Sequence, residues 1–322
     1  MQAEPVVGSG SAPTSVRRER ESALARAIGR VGLWDAGLCW APANVVRSAV
    51  AELEQAGYGA AWLHDVGRDA FVGAAIVLAA TQRLVAGTSI VSIWGHEPAQ
   101  MAAAARTLGE AFPGRFVLGI GVSHEGVRSW YGRGYDRPLS DLGEYLDVLD
   151  ESRWYAAPPE VPVPRVIAAL GPRALELARQ RSRGAIPYLV PVKYTSGARE
   201  VLGPEPVLAV QQAVVIGQQS DRAEEYAREY VGRYLRRPNY RNNLLRCGFD
   251  ERDLEGTGSD RLIEALVAIG SPDDAAARVR AHLDSGADHV CVYPLARGRL
   301  EVPVADLCEL AARLKLPDLS GS

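Results

Sequence analysis

Apolar residues fall into short continuous runs, and most runs are followed by a stretch with apolar positions at three- and four-residue spacing. Runs of this kind read as strands buried on both faces, and the spaced stretches as helices that cover them. Eight runs can be followed along the chain. They are RVGLWDAGL (30–38), GAAWLHD (59–65), RLVAGTSIVSIW (83–94), GRFVLGIG (114–121), RVIAAL (165–170), GAIPYLV (184–190), VLAVQQAVVI (207–216) and ADHVCVYPL (287–295). Helical stretches lie between them. NVVRSAVAELEQAGYG begins at Asn44, a candidate cap, and stops at Gly57. DAFVGAAIVLAATQ is apolar almost all round, so it packs on both sides. EPAQMAAAARTLGEAFPG has Pro98 in its first turn and Gly114 past its end, the expected punctuation. Further helices are expected at about 139–153, at GPRALELARQ, near 194–202, at SPDDAAARVRAHLDSGA and at VPVADLCELAARL.

Strands alternating with helices predict an α/β fold with a parallel sheet. A count of eight favours a closed (β/α)8 TIM barrel, with an open doubly wound sheet under a helical cap as the alternative. The polar-helical stretch 221–270 is longer than one return helix needs. It is expected to be an insertion of three helical pieces between strands seven and eight. No second domain and no internal repeat is visible. Residues 1–22, rich in Gly, Ser and Pro up to Ser15, are expected to form a disordered tail before a barrel domain at 23–322.

Composition narrows the function classes. With 47% hydrophobic and 23% charged residues the chain can bury a sizeable core. A net charge of −3 gives no electrostatic reason to expect nucleic acid or an anionic membrane as partner. No apolar run approaches the roughly 18 residues of a membrane span. Cys39, Cys247, Cys291 and Cys308 lack paired spacing, so free thiols in a cytoplasmic protein are expected, with no metal.

The stretch GRFVLGIGVSHEG (114–126) then poses a question. Gly119 and Gly121 interrupt a buried strand, and Ser123, His124 and Glu125 follow at once. The spacing is not G-x-G-x-x-G, which argues against a dinucleotide loop. In a barrel, active sites lie at the C-terminal strand ends, where these three residues fall. The glycines would let a flat ligand or a neighbouring backbone come close, or simply relieve crowding. Other strand ends point the same way. The second ends in His64-Asp65. The third ends in Ser89-Ile90-Val91-Ser92, with Trp94 and His96 just after. The fifth ends in Leu170-Gly171-Pro172, where a helix begins and an anion could bind. Taken singly, each has a bland reading. His64 could be a satisfied polar residue, His96 a helix-start residue, and Trp34 and Trp94 core.

The segments ALARAIGRVGLW, AAWLHDVGRDAF, AATQRLVAGTSI, ARTLGEAFPGRFVLGIGVSH and SDRLIEALVAIGSPDDAAARVRAHLDSGADHV resemble, in order, the bacterial-luciferase-like superfamily. They are most similar to its actinobacterial branch of coenzyme F420-dependent oxidoreductases. YLRRPNYRNNLLRCGF resembles a hallmark of that branch. The resemblance implies a TIM barrel with a deazaflavin ring in its mouth. It implies that Ser89-Ile90 is a bulge, often with a non-proline cis peptide, that backs the ring. It places the cofactor phosphate near Leu170, Gly171 and Pro172, with Gly121 also beside the cofactor. Asp65 matches an acidic position, and His124 stands where sugar-phosphate-oxidising relatives carry a catalytic glutamate. Val66 stands where those relatives carry a catalytic histidine, so alcohol oxidation by that base is not implied. Val122 replaces an arginine beside the flavin phosphate of luciferase, which weakens an FMN assignment.

The expected chemistry is hydride transfer between coenzyme F420 and a small organic substrate. His124 is the leading acid or base, because an unperturbed histidine titrates near neutrality. Asp65 or Glu125 would orient an imidazole, and His64 is the second candidate. Trp34, Trp94, Trp130 and Tyr131 would form an apolar substrate pocket. The competing readings are an FMN-dependent monooxygenase and a barrel that binds flavin or deazaflavin without turnover. A homodimer is the assembly considered.

Overall fold

The computed structural model describes residues 22–125, 135–217, 220–295 and 300–318. The strands are β1 Val31–Leu33, β2 Ala60–Leu63, β3 Val85–Thr88, β4 Val91–Ser92, β5 Phe116–Gly121, β6 Arg165–Ile167, β7 Gly184–Ala185, β8 Val207–Ile216, β9 Val267–Gly270 and β10 His289–Pro294. All pairings are parallel, and β10 pairs with both β1 and β8. The sheet is thereby closed: β1, β2, β3, β5, β6, β7, β8 and β10 are the eight staves of a (β/α)8 barrel. The open-sheet alternative does not apply. The expectation of a disordered tail at 1–22 falls almost wholly outside the described residues.

Local chemistry explains where the strands differ from the apolar runs. The first run stops at Leu33 because the Asp35 carboxylate accepts from the Gly37 N–H at 2.6 Å and caps a short helix, Ala36–Trp40. The sixth run is a strand only at Gly184–Ala185, and Pro187 behind it has no N–H for a ladder. The third run splits into β3 and β4. β3 pairs Gly87 with Val117, while β4 pairs Val91 with Ile120. Three residues, 88–90, therefore face two on β5, which is a bulge. The Ser89–Ile90 peptide within it is cis.

The stretch 221–270 departs from expectation at its end. Helices Ser220–Leu235, Pro238–Arg246 and Asp260–Leu266 and a 3-10 turn at Arg252–Leu254 occupy most of it. Val267–Gly270, expected within the helical part, is instead strand β9, parallel to the upper half of β8. β7 covers only Val207 and Leu208 of β8, so the edge above them is free for β9.

Three apolar clusters result. The largest lies between strands and outer helices. Another packs Val231, Leu244 and Leu262 of the segment between β8 and β9 against Ala213 and Val215 of β8. The third fills the barrel with Trp62, Val85, Val117, Val166, Val207 and Cys291. Leu24, Ala25 and Ile28 of helix Ala23–Ile28 belong to it and lie just before β1, at the N-terminal end. The Trp62 indole N–H donates to His289 Nε2 at 3.0 Å, and His289 Nδ1 lies 2.7 Å from the Gly29 carbonyl oxygen. His289 is thus a neutral ring with its proton on Nδ1. Among the described residues no helix is long and apolar enough to cross a membrane.

Candidate functional site

The bulge shapes the barrel mouth. Thr88 Oγ1 donates to the Gly119 carbonyl at 2.7 Å and accepts from the Gly119 N–H at 2.8 Å. One hydroxyl thus stands in for the ladder bonds that the extra residue disrupts. A Cβ on Gly119 would lie 1.8 Å from the Thr88 carbonyl oxygen, so that glycine exists for a neighbouring backbone. At Gly121 a Cβ would meet Ala168 Cβ at 2.9 Å and Ile90 Cδ1 at 3.3 Å. This second glycine makes room for Ile90, and its bare face is covered by protein side chains.

Ile90, Ala168, Tyr188 and Tyr293 pack against Trp34 and the upper barrel interior. The Trp34 indole N–H donates to the Ser89 carbonyl oxygen at 3.1 Å. Its ring lies 4.7 Å from that of His64, 4.9 Å from Tyr188 and 4.6 Å from Tyr293. Tyr240 stands 6.0 Å from Tyr188 and 5.5 Å from His124. A continuous run of rings therefore joins His64 to His124. Tyr230, Tyr234 and Tyr240 come from the segment between β8 and β9, so that segment roofs the mouth. The Tyr188 hydroxyl donates to that of Tyr234 at 2.8 Å.

Three polar atoms here are buried without a partner: His64 Nδ1, His124 Nδ1 and Gln211 Nε2. Buried polar groups are nearly always paired, so three orphans around one mouth mark a place where polar atoms of a ligand fit. Ser123, before His124, has φ 51°, and its carbonyl accepts from the Tyr135 hydroxyl at 3.1 Å. This left-handed residue turns the chain so that His124 faces Tyr234 and Tyr240. Burial pushes His124 down to about 4, with the nearby Arg237 guanidinium adding to the effect. Burial also pushes His64 down to about 4. The near-neutral titration expected of His124 is thus corrected: both rings are uncharged at pH 7.

Other expected residues are placed differently. Asp65 does not orient His64 or His124. Its Oδ2 lies 3.1 Å from His96 Nε2 and accepts from the Ser92 N–H at 3.3 Å. That pairing holds the His96 imidazole above its usual range. Trp94 packs in the layer between strands and helices, its indole N–H donating to the Val122 carbonyl at 2.6 Å, and not in the ring cluster. Glu125 is exposed. Trp130 and Tyr131 lie outside the described residues. Leu170-Gly171-Pro172 forms the start of helix Pro172–Arg181, whose N-cap, Gly171, makes no side-chain cap bond. The Tyr194 hydroxyl donates to the Leu170 carbonyl at 2.9 Å and fixes this turn.

Sequence reasoning missed the tyrosines and Gln211. Two glutamines inside VLAVQQAVVI were the available signal, since a polar pair in a strand buried on both faces needs a reason. Gln212 faces outward, where its Oε1 lies 2.9 Å from His282 Nε2. Gln211, one residue earlier, faces inward, 3.5 Å from the Tyr230 hydroxyl. Asp35 was also missed: it is buried next to Trp34, and burial pushes its carboxyl up to about 7. Among the described residues no cluster of three His, Cys, Asp or Glu could hold a metal ion.

Comparison with known proteins gives the same fold and narrows the chemistry. The family profile described as luciferase-like monooxygenase matches residues 40–289. Rv3520c of Mycobacterium tuberculosis H37Rv, whose name assigns it to the coenzyme F420-dependent oxidoreductases, is 34% identical over 122 residues. That match covers 37% of this chain and 34% of the relative, so the chain spans about a third of that protein's length. An F420-dependent secondary alcohol dehydrogenase, solved with an F420-acetone adduct, superposes with TM-score 0.69 at 15% identity, covering 90% of this chain and 98% of its own. The oxygenating constituent of 3,6-diketocamphane monooxygenase from Pseudomonas putida, solved with FMN, superposes with TM-score 0.64 at 15% identity, covering 90% and 99%.

Proposed function

The chain belongs to the luciferase-like monooxygenase family, and from that premise we propose that it is a coenzyme F420-dependent oxidoreductase acting on a small organic substrate. The observation that carries the reading is the mouth itself. Apolar surfaces at Ile90, Ala168, Trp34 and Tyr188 lie together with unpartnered polar atoms on His64, His124 and Gln211. A flat heterocycle needs this combination, apolar contacts for its faces and hydrogen bonds for its edges. The F420-dependent relatives, and Val122 in place of an arginine, support a deazaflavin over FMN.

When bound, a deazaflavin supplies hydride exchange at one ring carbon. In this reading Ser89 and Ile90 support the ring, with Gly121 clearing the space that Ile90 needs. Leu170, Gly171 and Pro172 present the uncapped helix start to the phosphate. His124, uncharged at neutral pH, holds a polar atom of the substrate through Nδ1 and accepts the proton released there. His64 offers its unpartnered Nδ1 to a second polar atom on the Trp34 side. Trp34, Tyr188 and Tyr240 exclude water from between them, which strengthens both hydrogen bonds.

The test is cofactor titration. Coenzyme F420 fluorescence should be quenched by the protein at micromolar concentrations, while FMN should bind far more weakly. Hydride exchange is then sought with a panel of alcohols, enones and imines. Tight FMN binding without F420 binding would replace this reading with an FMN-dependent monooxygenase. F420 binding without hydride exchange would favour a non-catalytic barrel.

A further inference from the structure

We propose that Asn243 and Arg246, both carried by the segment between β8 and β9, complete an anion site at the start of helix Pro172–Arg181 and grip the cofactor's phosphate. The assignment of that phosphate to a deazaflavin or flavin rests on the proposed function; the anion site rests on the following geometry.

Helix Pro172–Arg181 has ten residues, and no side chain caps its first turn. Pro172 has no N–H, and the Ala174 N–H is bonded to the Gly171 carbonyl oxygen at 3.0 Å, so the Arg173 N–H and the positive dipole end are what the helix start offers a ligand. A Cβ on Gly171 would meet one atom within 4 Å, a terminal nitrogen of Arg246 at 3.4 Å. The guanidinium of a residue more than seventy positions away in sequence is therefore at the lip of the helix start. The same nitrogen donates to Asn243 Oδ1 at 3.3 Å. Asn243 is only 2% exposed, and its Nδ2 has no hydrogen-bond partner. Its amide is thus held through its oxygen beside the Gly171 turn, with a buried donor left over.

The one acceptor among these side chains, Asn243 Oδ1, is taken by Arg246, and the groups left over are donors: the Arg173 N–H, the rest of the guanidinium and the orphan amide. The fitting ligand is therefore an anion. Its oxygens should be arranged to take several donors at once, as in a phosphate ester. Lys193 adds positive charge nearby, since it and Arg246 both act on the Cys247 thiol. The sequence stretch PNYRNNLLRCGF, which the barrel fold leaves unexplained, acquires a role: Tyr240 roofs the mouth, and Asn243 and Arg246 face the phosphate one turn further on.

Two ring pairs test this, each differing by the phosphate end: coenzyme F420 against its phosphate-free riboflavin-level precursor, and FMN against riboflavin. Affinities are measured for wild type, Arg246→Gln and Asn243→Leu. In whichever pair binds, wild type should prefer the phosphate-bearing member. Each variant should lose about tenfold of that preference, with affinity for the phosphate-free member within about twofold. Asn243→Leu removes an unsatisfied buried amide, so its unfolding temperature without ligand should equal or exceed wild type. Retention of the wild-type preference in both variants overturns the proposal. So does an equal loss for both members of a pair, which would mean general damage to the mouth. If neither ring pair binds, the proposed function fails. The anion site is then decided separately by inorganic phosphate, which should raise the unfolding temperature of wild type but not of Arg246→Gln. Phosphate protection lost in Arg246→Gln with F420 affinity intact would assign the site to a substrate's phosphate and reject the cofactor assignment.

Discussion

Trp34 ties the end of β1 to the bulge of the third strand, its indole N–H resting on the Ser89 carbonyl oxygen at 3.1 Å. One side chain thereby fixes both a wall of the mouth and the residue preceding Ile90. Trp34→Phe keeps a ring among His64, Tyr188 and Tyr293 but removes the donor. We expect a loss of about 1 kcal/mol in stability, the usual size for one hydrogen bond. Cofactor affinity should fall roughly tenfold, because Ile90 is no longer held from that side. Wild-type affinity in this variant would separate the Trp34 bond from ring binding.

Gly119 gives a sharper test of the bulge. Gly119→Ala places a methyl carbon against the Thr88 carbonyl oxygen, with rigid backbone on both sides. Destabilisation of about 3 kcal/mol or more is expected, the upper end for overpacking. Gly197→Ala is the control. That glycine sits on helix Val192–Leu202 with nothing within 4 Å of an added Cβ. It should stabilise the protein by about 0.5–1 kcal/mol through the reduced entropy of the unfolded chain. Denaturant midpoints for both variants decide the matter.

His124 and His64, both pushed down to about 4, should stay uncharged from pH 8 to pH 5. Imidazole NMR signals of both should be flat over that range. His124→Ala should lower turnover by roughly 10²-fold, the low end for losing an acid–base group. The wild-type rate should show no inflection near pH 6.5 that this substitution removes. Such an inflection, tracking His124, would mean that the ring titrates normally and is not buried in solution as described.

The architecture was legible because buried parallel strands leave a period that any barrel must show. The strand ends were less so. Asp35 caps a helix inside a run that reads as pure strand, and β9 hides in a polar-helical stretch because only its partner β8 reveals its pairing. Within the site, His124, His64 and Trp34 could be placed at the mouth from strand order alone. Asp65 could not be matched to its partner, since the choice of His96 over His64 depends on how the third strand bulges. The tyrosine roof was invisible for the same kind of reason: Tyr230, Tyr234 and Tyr240 meet Tyr188 across the fold, and no local pattern says so. Gly119 and Gly121 read as a ligand approach as readily as a backbone approach, and the Thr88 carbonyl and Ile90 side chain decide between them.

Asp65 and His96 make a second titration testable. The hydrogen bond to Asp65 raises His96 above its ordinary value, so its NMR titration should run above pH 6.5. Asp65→Asn should bring it down to 6.5 or below, because partial burial then outweighs the remaining pull of the Asp69 carboxylate. Stability should change by about 1 kcal/mol or less, as both side chains are partly exposed. An unshifted His96 in Asp65→Asn would show that the pair does not form.

The pH dependence of stability follows from the five histidines together. Four of them, His64, His124, His282 and His289, are held below the ordinary value, at about 4, 4, 3 and 4, with burial the largest cause in each. The unfolded chain protonates these rings as the pH falls through about 6.5. The folded chain does not until near 4. Between those limits the unfolded state binds more protons, so stability falls as pH falls. Two groups act in the opposite sense. Asp35, pushed up to about 7, keeps its proton in the folded state, so its stabilising share falls away steadily as pH rises from its ordinary value of 3.8 to about 7. His96, also raised, favours the folded state below 6.5 and loses that share as pH climbs through its folded value. Four against Asp35 alone leaves a net acid sensitivity across pH 6 to 4.5, of the order of a few kcal/mol per pH unit. Thermal unfolding midpoints should therefore drop clearly from pH 7.5 to pH 5. His282 supplies the internal check. It is wedged between Thr195 Oγ1 at 2.8 Å and Gln212 Oε1 at 2.9 Å, on the outer face of β8. His282→Gln should cost stability at pH 7.5 yet flatten the decline between pH 6.5 and 5, because one titrating ring is gone. An unfolding midpoint in wild type that is the same at pH 5 and pH 7.5 would show that these rings take up protons without opening the fold.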